Sequence, residues 1–332
     1  MIDTQTKIKI FSDKYNLIDL VNEKLGSVVH NNNSRFTILV ADLIDHLSSD
    51  DIKFQSDLLK HKKALFKSIN YISDFITTGD ALIDSFFYTS SKDNYELYIN
   101  NLATLAFIPW KIQKYLIELP FNANKSVIEA LSSIRECVKK EISLKESPRI
   151  MEDEELFQFL QCRNSDFFLY FGFLSPFINN HTKLLIKHFL ELYVVLDTIL
   201  DDMTDVCQDY LNNNVNLLLL ELRVKDTNSN YTTYSELINA LINRDIYGSL
   251  IDLIHKYYNL ILKLLGDRND QLSKYLKFLA NGCIEGIRIF KNNEYFIKDI
   301  VNQKKHQAVC KFLFKPYPWT VISYDEVFRN DF

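Results

Sequence analysis

The feature that most constrains the fold is a shortage of chain-breaking residues. The 332 residues include only seven glycines and six prolines, whereas an average protein of this length has on the order of 40 of the two together. β-sandwiches and barrels use Gly and Pro at most of their turns. The two common glycine-rich motifs that bind nucleotide phosphates are also absent from the sequence. We therefore expect an all-α fold.

Apolar spacing supports this expectation. Apolar side chains between Asp51 and Phe87 recur at the three- and four-residue spacing of one helix face. Thr233 precedes Glu236 by three residues, which is the spacing of a capping box at the start of a helix. The Asn run at 212–214 is typical of a turn between helices.

The domain organisation is interpreted as one helical bundle. The sequence has no internal repeat of 30–50 residues, which argues against a solenoid. We expect N-terminal helices and irregular structure over residues 1–50, a bundle core over residues 51–315 and a C-terminal tail over residues 316–332.

Charge and cysteine content exclude several classes of protein. The net charge is −5 and the lysines are scattered, so we expect no nucleic-acid partner. Five widely spaced cysteines without a CxxC pair indicate neither a disulfide framework nor a zinc site, and we expect reduced thiols. Neither a signal peptide nor a long apolar run is present, which predicts a cytoplasmic protein with no transmembrane segment.

The most informative segment is 188–209, where apolar residues on several sides indicate a helix in the core. Four aspartates recur every four residues and stack along one face of this helix: Asp197, Asp201, Asp205 and Asp209. The segment contains no Lys or Arg, and buried ionised carboxylates cost several kcal/mol each unless they are compensated. We therefore expect an external divalent cation, and the oxygen ligands favour Mg²⁺. The alternative is an amphipathic helix whose acidic face lies in water.

A second acidic pair lies on another apolar stretch, where Asp80 and Asp84 are one helical turn apart. Two such helices facing one another would hold two acidic walls across a cavity. Mg²⁺ prefers one or two carboxylates together with substrate phosphates. The expected ligand is therefore a diphosphate that metal ions bridge to both walls.

The two aspartate-rich helices resemble the class I isoprenoid synthase fold, which terpene synthases and prenyl-chain synthases share. The string LDTILDDMTD is similar to the second acidic motif of the tetraprenyl-β-curcumene synthase-like terpene synthases, and ISDFITTGDALID would be the counterpart of their first motif. Asp201, Asp205 and Asp209 have the spacing of the terpene synthase metal-binding triad. The resemblance covers roughly residues 65–220. It implies a single-domain isoprenoid synthase-type bundle with a central active-site cavity and three Mg²⁺ ions bound with diphosphate.

Departures from the family pattern guide the choice of reaction. The first motif is DxxxD, Tyr210 stands where a basic residue often follows the triad, and no Arg pair follows the first motif. The missing Arg pair favours cyclisation of one allylic prenyl diphosphate over condensation of two substrates. The resemblance thus implies a Mg²⁺-dependent lyase of isoprenoid biosynthesis. The alternatives are a trans-prenyl diphosphate synthase, chain-elongating or head-to-head, and a non-enzymatic helical interaction protein. A monomer and a homodimer both stay open.

Basic and phenolic residues complete the expected diphosphate site. Arg163 followed by Asp166 fits the short pattern of the terpene synthase diphosphate sensor, and Arg binds phosphate oxygens bidentately. Arg288, Lys291 and Tyr295 could close over the diphosphate or form a solvated helix end.

An aromatic segment follows Arg163 and is the candidate substrate pocket. Its members are Phe167, Phe168, Tyr170, Phe171 and Gly172. Aromatic faces stabilise a carbocation by cation–π attraction worth up to ~2 kcal/mol. The alternative for each ring is ordinary core packing.

Overall fold

The computed structural model describes residues 35–86, 105, 108–226, 231 and 233–292. Regular secondary structure in these ranges is helical, and the single β feature among them is an isolated bridge between Ile52 and Ile178. The prediction of an all-α fold is confirmed. The isoprenoid synthase type stays a prediction, as do the proposed boundaries at residues 50 and 315.

The chain divides into two compact units. The N-terminal unit comprises residues up to Asp42 and Phe54–Lys125, and the C-terminal unit comprises Leu43–Lys53 and the residues from Ser126 onward. Helix α1 (Arg35–His46) crosses the first boundary, and helix α2 (Gln55–Phe86) lies entirely in the N-terminal unit. The remaining described helices are α3 (Ala123–Glu146), α4 (Asp153–Arg163), α5 (Ser165–Leu174), α6 (Asn180–Asn212), α7 (Leu217–Lys225), α8 (Tyr234–Asn243), α9 (Ile246–Leu265) and α10 (Gln271–Asn292).

In the N-terminal unit, α2 confirms the helix that the apolar spacing predicts between residues 51 and 87. The Thr37 hydroxyl of α1 donates a buried hydrogen bond of 2.6 Å to Asn70 Oδ1 of α2. Tyr71 of α2 stacks on Tyr115, which lies in the helical stretch 108–116, with ring centroids 5.7 Å apart. These contacts join the described elements of this unit.

Helix α6 is the centre of the C-terminal unit and packs against α4, α5, α7, α9 and α10. It begins where the Asn179 side chain accepts a hydrogen bond of 2.8 Å from the Thr182 N–H. It ends at Asn213, whose φ of 52° is the left-handed conformation typical of a helix C-cap. This helix end confirms the predicted turn. Many of its apolar side chains are fully buried: Ile186, Phe189, Tyr193, Val194, Val195, Leu196, Ile199, Met203 and Val206. The prediction of a core helix is therefore confirmed.

Two other helix ends follow the sequence closely. The capping box of α8 is confirmed, because the Thr233 hydroxyl accepts from the Glu236 N–H and Glu236 accepts from the Thr233 N–H at 3.0 Å. Helix α9 ends at Gly266, which has a φ of 50°. None of the described helices combines the length and the apolar character that crossing a lipid bilayer requires.

Candidate functional site on helix α6

Helix α6 carries carboxylates into the core of the C-terminal unit. Asp197 is 3% exposed and Asp202 is 1% exposed, while Asp201, Asp205 and Asp209 are half-buried. The interpretation of the row as a face in water is therefore wrong for Asp197. We refer to Asp201, Asp202, Asp205 and Asp209 as the acidic cluster.

A cation from another helix compensates Asp202. Arg163, the last residue of α4, donates from Nη1 to both carboxylate oxygens of Asp202 at 2.7 and 2.9 Å. The Leu217 N–H donates to the same carboxylate at 2.8 Å. Packing thus places an Arg from 39 residues away in sequence beside Asp202, which is not a member of the four-residue row for which an external cation is expected.

Arg163 is held on three sides. Its Nε lies 3.3 Å from Glu141 Oε1 of α3, and its guanidinium carbon lies 5.9 Å from the centre of the Phe159 ring. Burial alone would lower the pKa of Arg163, but the charges of Asp202 and Glu141 raise it overall. The Nη2 group makes no hydrogen bond within the described residues. The predicted role of Arg163 as a diphosphate sensor stays a prediction.

Asn216 joins two members of the acidic cluster. Its Nδ2 group donates to Asp209 Oδ2 and to the main-chain oxygen of Asp202, both at 2.8 Å. Its Oδ1 accepts from the Leu218 N–H at 3.0 Å and so caps α7. Because Asn216 is fully buried, it fixes the start of α7 against the acidic end of α6.

The electrostatics show that the acidic cluster is crowded. Burial, together with the charges of Asp202 and Asp205, raises the pKa of Asp209 to about 7, although the hydrogen bond from Asn216 acts in the opposite direction. Burial also raises the pKa of Asp202 to about 6, although Arg163 acts in the opposite direction. Arg163 therefore does not fully compensate the negative charge of these carboxylates.

The side chains of the acidic cluster offer carboxylate oxygens, which are the type of ligand that Mg²⁺ prefers. In the described part of the chain, no group of three or more His, Cys, Asp or Glu side chains is arranged to hold a metal ion. Asp201 and Asp205 nevertheless offer carboxylates one helical turn apart, both half-buried. Mg²⁺ is usually held by one or two carboxylates, with waters and phosphate oxygens completing its shell. The residues present fit such a shared site.

The aromatic segment lies on α5. Phe167, Tyr170 and Phe171 are buried, while Phe168 and Gly172 are half-buried. Phe167 makes an edge contact with the Tyr193 ring of α6, with centroids 6.2 Å apart. Phe167 therefore contributes to core packing, and the pocket role of the segment stays a prediction.

Asp166 lies in the first turn of α5, where a negative charge is favourable. Its Oδ1 accepts from the Phe167 N–H at 3.1 Å. Several other predicted site residues lie outside the described residues. They are the side chains of Asp80 and Asp84 on α2, those of Arg288 and Lys291 on α10, and Tyr295.

Sequence reasoning missed Asp202, Asn216 and Glu141. Asp202 had a signal, because it lies three residues after Ile199 and four before Val206 and so occupies the apolar register of α6. An aspartate in that register is buried and needs a partner. Asn216 and Glu141 have no comparable local signal, since their roles depend on which helices meet.

No protein-family model matches the chain, and no curated protein matches it either. The resemblance to class I isoprenoid synthases therefore depends on the short acidic motifs alone.

Proposed function

We propose that the chain is a Mg²⁺-dependent class I terpene synthase that ionises an allylic prenyl diphosphate and cyclises the resulting cation. The observation that supports this proposal most is the acidic cluster on a core helix. Burial and mutual repulsion of these charges cost free energy that Arg163 does not fully offset, as the raised pKa values of Asp209 and Asp202 indicate. A ligand that brings positive charge to the cluster would relieve this cost.

Asp201 and Asp205 are the residues proposed to hold the metal. Both are half-buried, so part of each side chain is accessible to solvent and ligands. When bound with diphosphate, Mg²⁺ would supply positive charge to the leaving group.

Arg163 is proposed to bind the diphosphate directly. Asp202 and Glu141 hold Nη1 and Nε of the guanidinium, and Nη2, which has no hydrogen bond among the described residues, is the group proposed to bind the anion. In the ionisation step the carbon–oxygen bond breaks and its electron pair stays on the diphosphate oxygen. A fixed guanidinium stabilises the charge that develops there without reorganising.

Phe168 is the aromatic side chain proposed to face the hydrocarbon part of the substrate. It is half-buried, whereas its neighbour Phe167 is fully packed. A desolvated aromatic face stabilises an allylic cation by up to ~2 kcal/mol. Loss of a proton or capture of water would then end the reaction.

A non-enzymatic role is the second candidate, and the Arg163–Asp202 pair is the observation that favours it. Because Arg163 already has two carboxylate partners, the acidic cluster could serve only to fix α4 against α6. On that alternative, Mg²⁺ and diphosphate leave the protein unchanged.

Product analysis decides between the candidates. The full chain is incubated with Mg²⁺ and geranyl, farnesyl, geranylgeranyl or geranylfarnesyl diphosphate, and hydrocarbons are identified by gas chromatography with mass spectrometry. We expect cyclic products from one of these substrates. Absence of any product from all four contradicts the proposal, and consumption of added isopentenyl diphosphate would instead indicate a prenyl-chain synthase.

Variants locate the activity. We expect Asp201→Asn and Asp205→Asn to lower turnover at least about 100-fold, as loss of metal-site interactions commonly does. Asp252→Asn removes an exposed carboxylate of α9 and is the matched control, which should keep full activity. Asp80→Ala tests the first predicted acidic motif separately. Unchanged turnover in both α6 variants, with helical circular dichroism, would remove the site assignment.

A further inference from the structure

Cys162 of α4 lies against the turn of α3 that runs from Ser133 to Cys137. The Cys162 thiol of α4 donates to the main-chain oxygen of Ser133 at 2.9 Å, and the Ser133 hydroxyl lies 3.6 Å from the same sulfur. Cys137 follows Ser133 by one turn of α3, so its N–H bonds to that same carbonyl within the helix. The Cys162 sulfur therefore lies beside the main chain of Cys137, at the carbonyl that the Cys137 N–H also contacts.

An ion pair fixes the two helices beside this contact. Arg163 follows Cys162 directly, and Glu141 follows Cys137 by one helical turn. Arg163 Nε and Glu141 Oε1 are 3.3 Å apart. Contacts of Cys162 with Ser133 and of Arg163 with Glu141 thus flank Cys137 on both sides, which limits how far the two thiols can separate.

The two thiols differ in exposure and in acidity. Cys137 is 6% exposed, whereas Cys162 is half-buried. Interaction with the Cys137 side chain lowers the pKa of Cys162, and the same interaction, with burial, raises the pKa of Cys137. Because Cys162 is the more exposed of the two thiols, a small oxidant would reach it first.

We propose that Cys137 and Cys162 form a redox-active dithiol that a hydroperoxide converts into a disulfide between α3 and α4. The Cys162 thiolate attacks one peroxide oxygen and becomes a sulfenic acid as the oxygen–oxygen bond breaks. The Cys137 thiol then attacks the sulfenic sulfur, a sulfur–sulfur bond forms and water leaves. With hydrogen peroxide, two thiols give one disulfide and two waters, and the thiols lose two electrons. This inference does not depend on the proposed terpene synthase function.

Peptide mapping of the full chain tests the disulfide. The protein is treated with hydrogen peroxide, blocked with N-ethylmaleimide in denaturant, digested and analysed by mass spectrometry. We expect a cross-linked peptide pair that contains Cys137 and Cys162 and that dithiothreitol separates. Cys207 and Cys283, both buried free thiols, are internal controls and should stay alkylated. Recovery of Cys137 and Cys162 as alkylated as these controls would overturn the proposal.

Variants assign the two roles. In Cys137→Ser, a dimedone probe should trap sulfenic acid on Cys162, because no neighbouring thiol can resolve it. Cys162→Ser should show no oxidation at Cys137, and Cys207→Ser should keep the wild-type cross-link. Sulfenic acid on Cys137 in place of Cys162 would contradict the order of attack. If a variant does not fold, the wild-type peptide map still decides whether the disulfide forms.

Discussion

Helices α6 and α9 pack more extensively against each other than any other pair of described helices. They differ in whether their charged side chains are buried or exposed. Helix α9 buries an apolar face and leaves Asp252 and Lys256 exposed. Helix α6 buries Asp197 and Asp202 beside its apolar residues. Apolar packing accounts for the buried aliphatic side chains of α9, whereas the buried carboxylates of α6 need polar partners, such as Arg163 for Asp202.

Buried carboxylates on α6 lower the stability of the folded chain, whereas the exposed charged residues of α9 do not. A buried carboxylate opposes folding unless it has a partner, whereas an exposed carboxylate costs almost nothing. Asp202 has Arg163, but Asp209 has a pKa of about 7 because of its burial and its acidic neighbours. Unfavourable charge of this kind is typical of functional sites, which is why the proposed function is built on α6.

The largest expected effect comes from removing the internal cation. Arg163→Ala leaves Asp202 buried without its partner, so we expect unfolding in urea to show a loss of about 3 to 5 kcal/mol. The double variant Arg163→Met with Asp202→Leu removes both charges and should recover most of this loss. A single variant as stable as the wild type would show that the pair does not compensate Asp202.

Asp209→Asn should stabilise the folded chain, by less than Arg163→Ala destabilises it. The pKa of Asp209 rises from an ordinary value of 3.8 to about 7 in the folded chain, so the folded state binds more protons than the unfolded state between these values. Stability therefore falls as pH rises from about 4 to 7. The Asn variant lacks this penalty and should be more stable by about 1 to 3 kcal/mol at pH 8.

Urea titrations of Asp209→Asn and wild type at pH 5 and pH 8 measure this difference. Asp252→Asn on α9 is the control, since that carboxylate is exposed and its removal should change stability little. A stability gain at pH 5 that equals the gain at pH 8 would contradict the raised pKa.

The smallest effect is expected on α9. Lys256 pairs with Asp153 at the surface, where the two side chains are 47% and 81% exposed. Lys256→Ala should therefore cost about 0 to 1 kcal/mol, and even this loss should disappear in ~1 M salt, where the Debye length is about 3 Å. A loss as large as that of Arg163→Ala would mean that this exposed ion pair contributes as much to stability as the buried one.

Much of the fold could be predicted from the sequence because its signals are local. Apolar spacing predicted α2 and α6, and the Thr233–Glu236 spacing predicted the start of α8. These features depend on residues within one or two turns of each other. They need no knowledge of which helices meet.

The site was predicted less completely because its contacts are long-range. The aspartate row could be recognised from a four-residue spacing, but the Arg163–Asp202 pair joins residues on different helices. Cys137 and Cys162 are likewise 25 positions apart, and widely spaced cysteines without a CxxC pair had indicated only reduced thiols. Packing creates these pairs, and local sequence spacing does not encode it.

The most direct measurement is the melting temperature of the full chain with Mg²⁺ and inorganic diphosphate together, compared with each alone. Because a ligand that binds only the folded state stabilises it, we expect the combination to raise the melting temperature of the wild type. Asp201→Asn with Asp205→Asn should abolish the rise. An unchanged melting temperature of the wild type at saturating concentrations of both would contradict a site for metal and diphosphate on α6.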